Sequence, residues 1–149
     1  MSEPKIISLT KEDVQWLPAL RVLLSQLSER PHPIDEALLT DMLASGASRL
    51  YLLCSGEEAL GMLTLSSYPL LTGRKWWIED AVVKSECRGR GYGRRLIAHA
   101  RAAVAEAGGG SLLLTSRPSR VAANELYKSE GFVQRNTNVY KLEVAAPEK

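Results

Sequence analysis

The chain is short of cysteine, carries almost no net charge and lacks any long apolar run, and each shortage excludes something. Two cysteines in 149 residues, Cys54 and Cys87, make no disulfide framework. A formal net charge of +2 supplies no global basic field, so neither nucleic acid nor a membrane surface is an expected partner. The apolar stretches fall far short of a bilayer span. Met1-Ser2-Glu3-Pro4-Lys5 has no apolar core of a secretory signal, and a cytoplasmic location is the expectation. His32 and His99 stand at no metal-ligand spacing, so no metal is expected. There is no internal repeat and no dividing linker. What remains is an ordinary globular composition, 45% hydrophobic and 24% charged, that fits one domain over residues 1–149 with a real core.

Patterning predicts the elements. Ile6–Leu9 reads as a strand. Thr10, with Asp13 three residues on, resembles a helix N-cap, and Val14, Leu17, Leu20, Leu24 and Leu27 carry a helix to about Ser28. Arg30-Pro31-His32-Pro33 breaks it, and a second helix runs from about Asp35 to Ala44. Arg49–Ser55, Ala59–Tyr68 and Trp76–Val83 read as strands. Gly91–Ala107 is a long amphipathic helix. Ser111–Thr115 is a short apolar strand expected to be buried on both faces. Ser119 is read as the cap of a last helix that Gly131 ends, with Phe132–Gln134 and Asn138–Val144 as closing strands. The order gives an α/β domain, a mixed central sheet flanked by helices, with a parallel strand–helix–strand unit from Trp76 to Thr115.

The densest signal is Cys87-Arg88-Gly89-Arg90-Gly91-Tyr92-Gly93-Arg94-Arg95, at a strand-to-helix junction. Glycines at alternate positions let backbone approach a ligand, and the free N–H groups of a helix start attract a phosphate. Arg88, Arg90, Arg94 and Arg95 add positive charge. A dinucleotide fingerprint counted from Gly89 needs a small residue where Arg94 stands, and the Gly-Lys-Ser/Thr of a Walker loop is missing. The plain alternative is a loop with solvated arginines.

Arg88-x-x-Gly91-x-Gly93 resembles the pyrophosphate loop of the GNAT superfamily of N-acetyltransferases. Ile78-Glu79-Asp80-Ala81-Val82-Val83 looks like that family's central strand, and Ala123-Asn124-Glu125-Leu126-Tyr127-Lys128-Ser129-Glu130-Gly131-Phe132 like its second coenzyme motif. Cys87 departs from the pattern, standing where many relatives carry an aromatic residue. The resemblance implies a single-domain fold whose strands splay at an acetyl-CoA site, often at a bulge near Glu79–Ala81. It implies that acetyl-CoA pairs with the backbone of Ala81, Val82 and Val83. Its pyrophosphate is then held on the amides of Arg88, Gly89, Arg90, Gly91, Tyr92, Gly93 and Arg94. Asn124 would bond the pantetheine arm and Lys128 a coenzyme phosphate.

Amine acetylation requires loss of a proton from an ammonium ion and delivery of one to a thiolate. By resemblance Glu79 is the base and Asp80 a group that binds the amine. Adjacent strand residues point to opposite faces unless a bulge intervenes, so the two roles stay open. Tyr127 is the candidate acid, since a phenol titrates near about pH 10 and keeps its proton at neutrality. The plain readings are a carboxylate paired with an arginine and a core tyrosine. Cys87 lacks a paired histidine and is not a candidate nucleophile. The acceptor is a small-molecule or protein amine. A homodimer through an exposed edge at Asn138–Val144 is a further expectation. Two other classes predict different behaviour: an acyl-CoA sensor binds without turnover, and a basic nucleic-acid module binds without coenzyme.

Overall fold

A computed structural model describes residues 2–148; Met1 and Lys149, the ends of the expected domain, lie outside them. Strand β1 covers Lys5–Ser8. Thr10 is not the N-cap: its N–H and hydroxyl donate to Asp13 Oδ2 at 2.7 and 3.0 Å, and Asp13 itself stands at the cap of the following turn without a side-chain cap bond. The α-helix starts later. Val14–Trp16 is a 3-10 turn, and α1 runs Leu17–Leu27. Pro18 has no N–H for the Val14 carbonyl, so the regular ladder cannot begin before it. Helix α2 covers Glu36–Ala44, and Asp35 caps it by accepting from the Leu38 N–H at 2.8 Å.

The sheet contains β2 at Ser48–Ser55, β3 at Glu58–Leu70, β4 at Gly73–Val83 and β5 at Ser111–Leu113. Helix α3, Tyr92–Glu106, links β4 to β5, and α4, Val121–Ser129, follows β5. The strand order is β1-β2-β3-β4-β5, antiparallel except for the parallel β4/β5 pair. This is the expected mixed α/β sheet with its strand–helix–strand unit.

Helices cover both faces. On one side Leu53, Leu63 and Leu65 pack with Leu96, Ile97 and Ala100 of α3. On the other Leu50, Leu52 and Met62 pack with Leu20 and Leu23 of α1 and Leu39 of α2. Residues 50–54 are therefore buried without interruption: odd positions serve one core and even positions the other.

Three expectations are corrected. Residues 132–134 and 138–144 form no strand: their backbone finds no neighbouring strand, and alternation of side chains makes none by itself. Strand β5 stops at Leu113, and Leu112–Leu114 are only half-buried, because β5 lies at the sheet's edge. Ser119 does not cap α4. Arg120 is the N-cap residue, without a side-chain bond, and Asn124 Nδ2 instead donates to the carbonyls of Arg117 and Arg120, each at 2.8 Å.

The tightest approach in the sheet is at Gly61, where an added Cβ would lie 3.0 Å from the Val82 carbonyl oxygen and 3.3 Å from Leu96 Cδ1. Gly61→Ala is predicted to destabilise the fold by about 1–3 kcal/mol through overpacking. Leu71→Ala, at a fully exposed turn, should change stability by no more than about 0.5 kcal/mol. Equal midpoints for both variants in urea denaturation would contradict this packing.

Candidate functional site

Strand β4 holds an extra residue. Thr64 faces Glu79 and Met62 faces Val82, so two steps along β3 match three along β4. This is a bulge at Asp80–Ala81. Asp80 takes φ +48°, the one positive φ outside glycine among the described residues. The bulge exchanges the faces of the strand. Before it, Trp76 and Ile78 pack on the α3 side; after it, Ala81 and Val83 do, while Val82 turns to α1. Glu79 and Asp80 both reach solvent, so strict alternation does not separate them. Partial burial raises the proton affinity of the Glu79 carboxyl above the usual carboxylate range, and the neighbouring Asp80 charge raises it further.

Beside the bulge the sheet opens. Pairing of β4 with β5 ends at Trp77 opposite Leu113, so the two strands part from Ile78 and Leu114 onward. Ser116, just beyond β5, has a buried hydroxyl without a hydrogen-bond partner among the described residues.

The glycine turn follows β4. Ser85–Cys87 is a short 3-10 turn, tied to α1 by the Ser85 N–H donating to Gln26 Oε1 at 2.7 Å. Cys87 is buried in the α3-side core, which makes it a packing residue. Gly91, at φ +81°, is the N-cap of α3, so no side chain covers that helix's first N–H groups. Nothing lies within 4 Å of a Cβ added at Gly89 or Gly91, so the turn presents open backbone. Gly93 serves a different purpose. A Cβ there would sit 3.2 Å from Leu126 Cδ2, so this glycine lets α3 approach α4.

Most of the arginines are committed to the fold. Arg88 Nε donates to the Val83 carbonyl at 3.4 Å, and Arg95 to that of Pro4 at 2.9 Å. Arg94 pairs with Glu130 at 3.1 Å and donates to Ser129 Oγ at 3.0 Å, fastening α3 to the end of α4. Arg90 is exposed and forms no ion pair or side-chain hydrogen bond among the described residues.

On α4, Tyr127 is buried and meets Phe132 edge-to-face at 6.0 Å. It shares an apolar cluster with Ala81, Val83, Tyr92, Leu112 and Leu114. Its hydroxyl bonds no other described residue and is not sealed from solvent. Asn124 has its side-chain NH₂ engaged by the Arg117 and Arg120 carbonyls, leaving its Oδ1 without a partner among the described residues. Lys128 is exposed beside Glu125 at 3.7 Å.

The structure thus gathers Ala81, Val83, Tyr92 and Tyr127 on the α3 side. It sends Val82 to the other face, and no hydrogen bond joins Glu79 or Asp80 to Tyr127. Two polar residues of this region escaped the sequence reading. Thr64 is buried opposite Glu79, and its signal was a hydroxyl inside the apolar run Met62–Leu65. Ser116 carried no signal, since polar residues after a strand are commonplace. No three His, Cys, Asp or Glu side chains converge among the described residues. No helix among them is long and apolar enough to cross a membrane.

Comparison with known proteins bears on this geometry. The chain is similar to a protein of Agrobacterium tumefaciens described as an acetyltransferase, at 25% identity and TM-score 0.82, covering 93% of this chain and 99% of that one. An aminoglycoside acetyltransferase from an uncultured soil metagenomic sample, solved with sisomicin, aligns at TM-score 0.85 and 16% identity over 96% and 97% of the two chains. A protein of Clostridium acetobutylicum described as a predicted acetyltransferase and solved with acetyl-CoA aligns at TM-score 0.75 and 15% identity over 94% and 96%. No curated protein sequence matches the chain. The profile of the acetyltransferase (GNAT) family matches residues 16–132, most of the chain, including the bulged strand, the glycine turn and Tyr127. The chain belongs to the acetyltransferase (GNAT) family.

Proposed function

We propose that the chain transfers the acetyl group of acetyl-CoA to a primary amine by direct attack while both are bound. The observation that carries this reading is the β4 bulge. It sets a carboxyl of raised proton affinity, Glu79, where β4 and β5 part, on the strand that leads into a glycine turn with open backbone.

The residues present suit the coenzyme. The uncapped start of α3 and the open faces of Gly89 and Gly91 offer N–H donors to a pyrophosphate, and Arg90 is a cation not committed elsewhere among the described residues. Arg88 and Arg94 contribute backbone amides, their side chains being engaged by Val83, Glu130 and Ser129. The backbone of Ala81–Val83, past the last β4/β5 pair, is the edge on which the pantetheine arm is held. Asn124 Oδ1 can accept from that arm, and Lys128 lies in reach of solvent phosphate. Acetyl-CoA supplies the acyl group as a thioester.

Glu79 takes a proton from the incoming ammonium, directly or through a water. The raised affinity of its carboxyl makes it a better base than an ordinary carboxylate. Asp80, exposed beside it, holds the cationic amine. As the new C–N bond forms and the C–S bond breaks, Tyr127 donates its hydroxyl proton to the departing sulfur, and the second proton leaving the acylated nitrogen passes through water to restore the phenol. A pair of carboxylates suits a cationic acceptor, and the similar fold solved with sisomicin is consistent with a small-molecule polyamine of that chemical kind. A protein amine presents the same group.

Gly91→Glu puts a carboxylate at the anion site in a backbone geometry that favours glycine. Calorimetry should find acetyl-CoA affinity reduced by about tenfold or more in a folded variant; unchanged affinity would remove the phosphate role.

Glu79→Gln should lower turnover by about 10²-fold or more, with partial recovery at high pH as free amine accumulates. The base acts when ionised, so in the native enzyme the acidic limb of kcat/KM should lie above the ordinary carboxylate range. Asp80→Asn deletes the lesser cause of the shift, so that limb should move to lower pH while staying raised by burial. A limb that stays put or moves upward in Asp80→Asn would contradict the assignment.

Tyr127→Phe removes a hydroxyl without a partner among the described residues and should spare the fold. Turnover should fall by about 10²–10⁴-fold with coenzyme affinity nearly unchanged. A fully active variant would leave this tyrosine a packing residue.

A further inference from the structure

Three residues stand in one row across the sheet, just before the bulge. Leu50 of β2 is paired with Thr64 of β3, and Thr64 with Glu79 of β4. Their side chains share a face. Leu63 and Leu65, on either side of Thr64, pack towards α3, as do Trp76 and Ile78 before Glu79. Thr64 and Glu79 therefore both point to the α1 side, where Leu50 packs. The row runs from core to water: Leu50 is 4% exposed, Thr64 5%, and Glu79 reaches solvent. At Thr64 the apolar core under α1 and α2 meets the carboxyl of the candidate base.

Thr64 is the one buried polar residue among those described. Hydroxyls further along the same face of β3 have partners. Ser66 shares a hydrogen bond with Ser48 at 2.8 Å, and Tyr68 accepts from Trp77 Nε1 at 3.1 Å. The Thr64 hydroxyl bonds no other described residue, yet it is not sealed from solvent. Valine would fill the same space, suit a strand equally and bury no hydroxyl. The hydroxyl thus costs stability unless something outside the chain bonds it. Directly opposite residues of an antiparallel pair hold their Cβ atoms about 4.5–5.5 Å apart. No hydrogen bond joins the two side chains directly, and one water between them is in reach of both.

We infer that Thr64 is a positioning residue for the base, its hydroxyl and the Glu79 carboxylate holding between them the water through which the acceptor's proton passes. This rests on Glu79 being the base. The water takes a proton from the ammonium as it passes one of its own to the carboxylate, so it ends the step neutral. Bonded at two points, it keeps a fixed place on the α1 side of β4, and it fixes the carboxylate in turn. A water donating to the carboxylate favours its ionised form. Thr64 therefore works against burial and the Asp80 charge, which both raise the proton affinity of Glu79. No described cation pairs with Glu79 to do this instead.

The test is a pH titration of the Glu79 side-chain carboxyl carbon by NMR in the full chain, its signal assigned by loss in Glu79→Gln. It needs no acceptor. Thr64→Val keeps the shape and removes the hydroxyl, and the titration midpoint should rise by about 0.5 pH unit or more. Thr64→Ser keeps the hydroxyl and loses the methyl group, so the midpoint should stay at the native value, a rescue that packing alone would not give. A midpoint unmoved or lowered in Thr64→Val, or raised as much in Thr64→Ser, would overturn the role of Thr64 and leave Glu79 as the base. Full turnover in Glu79→Gln would overturn the base and this inference with it. Should Thr64→Val not fold, a crystal structure of the native chain decides. It should hold a water within hydrogen-bond distance of both Thr64 Oγ1 and the Glu79 carboxylate. A Thr64 hydroxyl that is dry or bonded to protein there would overturn the inference.

Discussion

Everything at the candidate site depends on one extra residue in β4. Without the bulge at Asp80–Ala81, the strand would alternate evenly and Glu79 and Asp80 would lie on opposite faces. With it, both carboxylates come to the surface together, and the residues beyond change sides. Val82 joins the core under α1, while Ala81 and Val83 join Tyr127 under α3 and α4. The bulge also coincides with the end of β4/β5 pairing, so the one place where the sheet opens is the place where acidic groups are presented. Asp80 accommodates the left-handed backbone this requires, as aspartate does more readily than branched residues.

The remaining parts of the molecule hold that opening in position. Gly61 admits the Val82 carbonyl at close range on one flank, and Gly93 admits Leu126 on another. Arg94 fastens the first turn of α3 to Glu130 and Ser129 at the end of α4, and Asn124 organises the loop before α4. The conspicuous arginines and glycines of the turn are thus divided between two tasks. Gly89, Gly91 and Arg90 face outward, and Arg88, Arg94, Arg95 and Gly93 secure the fold.

Much of this was legible in the sequence, for physical reasons that can be named. Strand β4 announces itself by β-branched and aromatic residues, β2 and β3 by apolar runs on either side of a Gly-Glu-Glu turn, α3 by its apolar stripe, and the glycine turn by spacing. The start of α1 lies later than the Thr10–Asp13 pattern suggests, because those two side chains bond each other without capping a helix and Pro18 delays the regular ladder. Ser119 looked like a cap because capping depends on backbone angles that residue type alone does not set. The arm at Asn138–Val144 has the alternation of a strand, but a strand is a property of two segments, and the sequence cannot say whether the second lies in the same chain. Whether Glu79 and Asp80 reach the surface together depended on the bulge, which pairing with β3 determines and residue spacing does not.

The central claim is that the bulge and the glycine turn form one coenzyme site. Backbone amide chemical shifts and hydrogen exchange, followed by NMR as acetyl-CoA is added, test it most directly. The account predicts shifts and added protection concentrated at residues 81–83 and 88–94, with α2 unaffected. Changes confined to other elements, or no change at saturating coenzyme, would contradict it.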